Sequence, residues 1–440
     1  MKVLVISHNV FSNSENMGKT LYKLFSNFRE EDICQLYFHS EVPTIKNVCS
    51  SYYRITDRDV LKSIIIRTMT GTRFTRDQIC SSAETSRIDS GTMAKIYQKG
   101  RKRTPIIYIM RDCMWSLGKW FSSDLKKWLK ENRPDIIFFA SGDYSFSYKI
   151  TNKIAKYLNI PVVVYCVDDF YMQNMNHKSF MGKIRQHFYM KIVNKTMELS
   201  SSIVTICEKM SKDYSSLFNK ECQVLYTTAE NYNIKFSNSP KMFAYFGSLG
   251  LERDKQLIEI GKAVNSIKNI TGINTIDVFT ADKNIELLKE MSQAEGITIH
   301  KSVSESEMLE IQKKCIAVIH TESFDEKIRE RIKYSVSTKI AESLMYGPCL
   351  FAYGPQDVAS IEYLIKYKAA YIVTDKKDLI QGIRELFTNA ELRKNIINSA
   401  RNIAEENHSS YRNNIILNTE LEKAIQKYRN TEICRRSLCK

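Results

Sequence analysis

Residues 334–353 read YSVSTKIAESLMYGPCLFAY. Small hydroxyl residues come first, a helix-prone segment follows and stops at Gly347-Pro348, and an apolar run begins at Cys349. This order predicts a short helix that leads into a buried strand, which is one step of a parallel α/β sheet.

The start of that predicted helix is a candidate anion site. A helix beginning near Ser337 and Thr338 points unpaired backbone N–H groups and its positive dipole end at the space before it, which suits phosphate. Lys339 adds a positive charge in the first turn, and Glu342, one turn later, can accept hydrogen bonds from sugar hydroxyls. An ordinary capped helix is the structural alternative, because Ser and Thr are favoured N-caps.

Apolar runs and helix-like segments alternate along most of the chain, the pattern of parallel sheets covered by helices. The alternation begins at Val3–Ser7 and restarts at Met242–Phe246, after a polar stretch that ends at Pro240. The prediction is an α/β protein of two Rossmann-like domains facing across a cleft, with a helical C-terminal tail. The predicted parts are residues 1–238, 239–405 and 406–440. Residues 41–105 give no clear pattern.

The composition is that of a globular protein, with 43% hydrophobic and 26% charged residues. No apolar run reaches the roughly 20 residues needed to cross a bilayer. The first residues lack the features of a signal peptide, so we expect a cytoplasmic protein. The eleven cysteines show no zinc-type spacing.

The net charge of +16 is concentrated in the first half, above all in residues 95–130. This segment combines the run Lys99–Arg103 with Trp115, Trp120 and Trp128. Basic residues beside tryptophan favour an anionic membrane surface, which predicts a peripheral protein at the inner face of the cell membrane. The alternative is that the tryptophans pack in the core. A nucleic-acid partner is not expected, since no nucleic-acid-binding motif is present.

Two further segments of the second half carry phosphate-type or ligand-type residues. After the strand at 242–246 come Gly247 and Gly250, then Arg253 and Lys255 where a helix begins, a set that can cradle a diphosphate. Glu322 follows the apolar run 317–320, at the strand end where α/β sheets place ligand contacts. A tight turn and a loop acid are the structural alternatives.

Together these motifs resemble those of GT-B glycosyltransferases, and they are most similar to the family 4 type that builds bacterial surface polysaccharides. The resemblance covers mainly residues 242–375. It implies that Arg253, Lys255 and the backbone around Ser337–Thr338 hold the donor diphosphate, and that Glu342 contacts the ribose. Such enzymes usually carry a second Glu two helical turns earlier, where this chain has Tyr334. Glu322 is the candidate to replace it.

The resemblance also implies a glycine-containing loop after the first strand of the N-terminal domain. Gly18 and Lys19 match it loosely, with glycine allowing close backbone approach and lysine a contact to phosphate. The same Gly-Lys-Thr occurs in nucleoside-triphosphatase loops, but the upstream glycine of those loops is missing.

Three aspartates follow strand-like runs in the first half and are candidate catalytic groups. Asp143 comes after the run ending at Ala140, and Asp168-Asp169 after the run 162–167. Carboxylates at strand ends can orient or deprotonate an acceptor hydroxyl. The alternative is that they cap the helices that follow.

The function expected from this resemblance is transfer of a sugar from a nucleotide-sugar donor to a glycan or lipid-linked acceptor. The resemblance implies retention of anomeric configuration, no metal ion and no cofactor besides the donor substrate. A nucleotide-sugar epimerase of the same fold and a non-enzymatic binder of anionic surfaces remain as alternatives.

Overall fold

The computed structural model describes residues 1–13, 16–66, 71–75, 79, 104–173, 179–232, 234, 236–237 and 240–438. The chain forms two compact units. Unit 1 is Met1–Leu225 with Asn413–Lys440, and unit 2 is Tyr226–Arg412. The chain therefore leaves unit 1 at residue 225 and returns to it for its last helix. The sequence predicted this change at 238/239 and a separate tail over residues 406–440.

Unit 1 is built on an eight-stranded sheet in the order β4-β3-β2-β1-β5-β6-β7-β8. Its strands are β1 (Val3–Ser7), β2 (Ile33–Tyr37), β3 (Ser51–Arg54), β4 (Thr72–Thr75), β5 (Ile136–Ser141), β6 (Val162–Cys166), β7 (Ser202–Thr205) and β8 (Cys222–Val224). Strand β4 runs antiparallel to β3, and the other described pairs are parallel. Every residue of β1, β5 and β6 is buried, as expected for strands covered on both faces.

The helices of unit 1 before the crossing are α1 (Asn16–Phe25), α2 (Asp57–Ile65), α3 (Pro105–Leu117), α4 (Ser123–Asn132), α5 (Ser145–Leu158), α6 (Phe170–Gln173), α7 (Phe180–Leu199) and α8 (Glu208–Phe218). The part of residues 41–105 that the structure describes thus contributes β3, α2 and β4 to this unit.

Unit 2 has a six-stranded parallel sheet in the order β11-β10-β9-β12-β13-β14. Its strands are β9 (Met242–Phe246), β10 (Ile276–Thr280), β11 (Ile297–Lys301), β12 (Cys315–Thr321), β13 (Cys349–Tyr353) and β14 (Tyr371–Val373). Its helices are α9 (Arg253–Ser266), α10 (Lys268–Thr271), α11 (Ile285–Gln293), α12 (Glu305–Gln312), α13 (Glu326–Ile332), α14 (Thr338–Tyr346), α15 (Ala359–Tyr367), α16 (Leu379–Thr388) and α17 (Ala390–Asn407).

The last helix, α18 (Ser410–Leu438), completes the core of unit 1. Its Leu417 and Leu421 are 1% and 0% exposed and pack with residues of β1 and β5. Glu420 accepts a hydrogen bond from Ser202 of β7. The helical tail expected from the sequence is therefore an integral part of the first unit.

The three tryptophans of unit 1 are buried, with exposed fractions of 1% for Trp115, 9% for Trp120 and 2% for Trp128. Trp115 stacks on Phe146 with ring centroids 4.0 Å apart, and Trp128 donates a hydrogen bond to Ser51. These side chains therefore pack in the core and are not placed to meet a membrane, while contact of the neighbouring basic residues with a membrane stays a prediction. The run Lys99–Arg103 lies outside the described residues. Within the part of the chain that the structure describes, no helix combines the length and apolar character of a membrane span.

Candidate functional site

A pocket of about 190 Å³ lies in unit 2 at the carboxyl ends of β9 and β12. From β9 the sheet continues through β10 to β11 on one side, and through β12 to β14 on the other. Open α/β sheets bind ligands at such a reversal of strand order. Its wall includes Gly247, Ser248, Arg253, Ser337, Lys339 and Glu342, which the sequence singled out or which neighbour such residues.

The helix that begins at this pocket starts where the sequence predicted. Ser337 is the N-cap of α14, and its hydroxyl accepts a hydrogen bond from the Lys339 backbone N–H at 3.3 Å. Thr338, the first helical residue, is exposed and does not line the pocket. The pocket therefore receives the positive end of the helix dipole.

Lys339 is held at the pocket by its own hydrogen bond. Its ammonium group donates to the backbone carbonyl of Phe246, at the end of β9. Burial of the amino group lowers the pKa of Lys339, while the carboxylate of Glu342 acts in the opposite direction. Both side chains line the pocket, so the wall carries one cation and one acceptor group side by side.

Arg253 is the first residue of α9 and a second cationic group of the pocket. Its Nε donates to the carbonyl of Thr321 at 3.2 Å, and its Nη2 donates to Oε2 of Glu322 at 3.0 Å. The Arg253 side chain is 19% exposed and that of Glu322 is 2% exposed. Glu322 is not part of the pocket wall. Its hydrogen bond orients Arg253, and the donor-sugar contact that the resemblance suggested for it stays a prediction.

The turn before α9 has an unusual backbone. Leu251 and Glu252 both adopt left-handed conformations, with φ of 64° and 59°. This region costs a non-glycine residue about 1 kcal/mol or more. The strained pair brings the chain from the glycine turn directly into the helix at Arg253.

Gly247 lies where β9 meets this turn, and the space there explains its identity. A side-chain carbon at Gly247 would come within 2.6 Å of the Tyr245 hydroxyl oxygen. That hydroxyl donates to the carbonyl of Ser248 at 2.6 Å and closes the turn. The glycine is therefore needed for local packing, whatever the pocket binds.

The structure does not bring Lys255 to the pocket. Its Nζ lies 2.7 Å from Oε1 of Glu252, and its side chain is 60% exposed. The diphosphate role given to Lys255 by the sequence remains a prediction without support from this geometry.

Two pocket residues were not found from the sequence. Gln312 at the end of α12 and His320 near the end of β12 are 4% and 9% exposed. Among the described residues, the Gln312 Oε1 and the His320 Nε2 have no hydrogen-bond partner. A buried polar atom without a partner is costly, which points to a ligand group that completes it. A single polar residue in an apolar segment gives no sequence signal that it will line a pocket.

The candidate catalytic residues lie in unit 1, not in unit 2. Asp143 follows β5 and pairs with Arg185 of α7, whose side chain is 4% exposed. The Arg185 guanidinium also lies 3.7 Å from the ring centroid of Tyr108. Asp143 is thus held in a buried ion pair with a residue that sequence reasoning missed.

The pair Asp168-Asp169 follows β6 and divides into two environments. Asp169 is 3% exposed, and its Oδ1 accepts hydrogen bonds from the Met172 backbone at 2.9 Å and from the Tyr214 hydroxyl at 2.8 Å. Asp169 thus caps the helix that follows it, as the structural alternative proposed. Asp168 is exposed and accepts from the backbone N–H of Asp169 at 2.9 Å.

Gly18 and Lys19 lie in the first turn of α1, also in unit 1. A side-chain carbon at Gly18 would come within 2.3 Å of the Val10 carbonyl oxygen, so this glycine permits close packing of the helix on the loop after β1. Lys19 is half-buried. The described residues contain no group of three or more His, Cys, Asp or Glu side chains placed to hold a metal ion.

The fold is GT-B: each of the two units has an open, mainly parallel sheet with helices, and the second unit has a pocket at its strand reversal. The structure is similar to that of Alr3699/HepE from Anabaena in complex with UDP, at a TM-score of 0.60 and 10% identity over 96% of this chain and 100% of that chain. It is also similar to TarM, at a TM-score of 0.60 and 11% identity over 96% and 98% of the two chains.

A third similar structure is sucrose-phosphate synthase from Thermosynechococcus elongatus, at a TM-score of 0.59 and 9% identity over 96% of this chain and 99% of that chain. At these identities the likeness establishes the fold. No family model matches the sequence, and no curated protein matches it.

Proposed function

We propose that the protein is a glycosyltransferase of the hexosyltransferase kind that takes its sugar from a nucleotide-sugar donor. The observation that carries the proposal is the pocket of unit 2, where Arg253, Lys339 and the N-terminus of α14 converge. These groups suit a diphosphate. Structures of the same fold were determined with UDP and with UDP-glucose, which supports the same ligand class here.

In this proposal the pocket acts mainly by electrostatics. As the glycosidic bond to the nucleotide breaks, negative charge develops on the leaving diphosphate. Arg253, held in place by Glu322, and the dipole of α14 stabilise that charge without reorganising. Glu342 accepts hydrogen bonds from the hydroxyls of the donor. The proposed acceptor is a glycan or a lipid-linked sugar of a surface polysaccharide, and the proposed transfer retains the anomeric configuration.

The test is turnover and binding with a panel of nucleotide sugars, with and without acceptor glycans. Arg253→Ala should abolish donor binding, since it removes a guanidinium from the pocket wall. Lys262→Ala is the matched control, because Lys262 is an exposed residue of the same helix and does not line the pocket. Conversion of the donor without acceptor would favour an epimerase. Equal donor binding by both variants would remove the assignment of the pocket.

We further propose that the protein works as a peripheral protein at an anionic membrane surface. The support is a surface on and after α4 where four basic residues lie together with one acidic residue, Glu131: Lys126, Lys127, Lys130 and Arg133. Basic side chains at this density attract anionic lipids by roughly 1 kcal/mol each. Binding to vesicles of phosphatidylglycerol and phosphatidylcholine, but not to phosphatidylcholine alone, should be lost when the three lysines become glutamate. Equal binding by that variant would refute this surface.

A further inference from the structure

His320 lines the unit 2 pocket and lies beside the buried carboxylate of Glu322. Its ring is 9% exposed and lines the pocket. The Nε2 atom lies 3.5 Å from Oε1 of Glu322 and makes no hydrogen bond to any described residue. The other oxygen of Glu322, Oε2, is bound to Arg253 at 3.0 Å. One buried carboxylate therefore has a permanent cation on one oxygen and an unsatisfied imidazole near the other.

The surroundings of His320, above all its burial, favour the neutral form of the ring. Burial lowers the pKa of His320 below that of free histidine. The nearby Arg253 lowers it further, and the carboxylate of Glu322 opposes them. Lys339 and Glu342 of α14 and the Tyr245 phenol of β9 complete the titratable wall. From α12 the wall receives Met308 and Gln312, which carry no charge.

A diphosphate would change this balance. It brings at least two negative charges into a small pocket that already contains His320, and an adjacent anion favours the imidazolium form. The neutral ring has one N–H donor, whereas the ring that has taken a proton from solvent has two. The protonated ring can then donate to Glu322 and to a phosphate oxygen at once, which satisfies the nitrogen now left without a partner.

We infer that His320 takes up a proton when the diphosphate of a nucleotide enters this pocket, so that donor binding is linked to pH. The inference rests on the proposed function and adds a residue and a linkage to it. His320 would thus be a donor-binding residue that is neutral in the free protein and cationic in the complex.

The experiment is calorimetric titration of the full chain with UDP, in buffers of different ionisation enthalpy, which counts the protons taken up on binding. The wild type is compared with His320→Gln, whose amide can still hydrogen-bond but cannot ionise in this range. UDP has its own ionisable phosphate, whose protonation before binding is the same for all the proteins compared. His187→Gln is the control, since His187 is an exposed residue of unit 1.

We expect the wild type and His187→Gln to take up more protons than His320→Gln around and below the usual histidine pKa of about 6.5. If UDP binding raises the pKa of His320 by one unit, the UDP affinity of the wild type should fall about tenfold, relative to that of His320→Gln, as the pH rises across the titration of this residue. UDP binding with equal proton uptake in all three proteins would overturn the inference and leave the proposed function standing.

Absence of UDP, GDP and ADP binding to the wild type would overturn both. Thermal unfolding of each variant shows whether it is folded. If His320→Gln does not fold, the wild type is tested alone. The inference is then overturned if the measured proton uptake is no larger than the ionisation of UDP explains.

Discussion

Glu322 presents a carboxylate, 2% exposed, to the guanidinium of Arg253. Removing one partner of a buried ion pair typically costs about 3–5 kcal/mol of stability. The cost here should be smaller, because the Arg253 side chain is 19% exposed at the pocket and its charge is partly solvated. We expect Glu322→Ala to lower the free energy of unfolding by about 2–3 kcal/mol and to weaken UDP binding. Denaturant unfolding and titration with UDP measure the two effects.

Glu326→Ala, an exposed acid at the start of α13, is the control for Glu322→Ala. It should change neither quantity appreciably, because exposed ion pairs contribute little. A Glu322 variant with full UDP affinity would show that Arg253 does not depend on this carboxylate for its orientation.

His408 makes the stability of unit 2 depend on pH. It is 1% exposed, with Nδ1 2.7 Å from the Thr227 carbonyl oxygen and Nε2 2.9 Å from the Tyr363 hydroxyl. Burial lowers the pKa of His408 to about 4, against about 6.5 in the unfolded chain. The neutral ring therefore stabilises the fold above about pH 6.5, and this contribution is lost as the pH falls toward about 4.

The size of that contribution follows from the shift and is about 3 kcal/mol. Denaturant unfolding at a series of pH values should show the loss in the wild type and a flatter profile in His408→Gln over the same range. Parallel profiles for the two proteins would mean that another group controls this part of the acid sensitivity.

Among the elements, α14 combines a structural cap with an anion-facing end. Ser337→Asp keeps an N-cap oxygen, and aspartate caps as well as serine, so the free energy of unfolding should stay nearly constant. The added carboxylate enters the pocket wall and repels a diphosphate. We expect UDP affinity to fall about tenfold or more, since 1.4 kcal/mol of repulsion is sufficient. Titration calorimetry with UDP and denaturant unfolding test both parts.

Asn284→Asp provides the same change at another helix. Asn284 is the N-cap of α11 and accepts from the Leu287 backbone N–H, and it does not line the pocket. UDP affinity should be retained in this variant. Similar losses in both variants would indicate a general charge effect instead of an anion site at α14.

The start of α14 could be predicted from the sequence because its signals are local. The capping serine, the helix-prone run and the stop at Gly347-Pro348 lie within one short stretch, and the helix runs from Thr338 to Tyr346. The strand Val3–Ser7 was likewise predicted with its correct bounds, since it is a continuous apolar run.

The contacts that give the site its chemistry could not be predicted. Glu322 and Arg253 are 69 residues apart in sequence, and only the sheet order brings them together. The burial of His320 and Gln312 depends on packing from several elements. The tryptophans were wrongly predicted to lie at the surface because basic residues stand between them. Lys119 and Lys127 are exposed, whereas the indole rings are buried.

At the scale of the whole molecule, α18 fastens the end of the described chain to unit 1. Leu421 is 0% exposed within the unit 1 core, and leucine-to-alanine changes at such sites cost about 2–5 kcal/mol. We expect Leu421→Ala to lower the free energy of unfolding of unit 1 by this amount. Chemical denaturation followed by near-ultraviolet circular dichroism reports on the buried tryptophans, all three of which belong to this unit.

Ile415→Ala on the same helix is the control, because the Ile415 side chain is 48% exposed. Its effect should stay below about 1 kcal/mol. Comparable losses from the two changes would mean that helix propensity, and not burial against the sheet, sets the contribution of α18.

The double crossing of the chain has a consequence for biosynthesis. Unit 2 is encoded without interruption, whereas unit 1 needs residues from both sides of it. Domains generally fold as units, in the order in which a ribosome releases them. Unit 1 therefore remains without α18 until unit 2 has been translated. A nascent chain arrested before Asn413 would expose the apolar groove that Leu417 and Leu421 later fill.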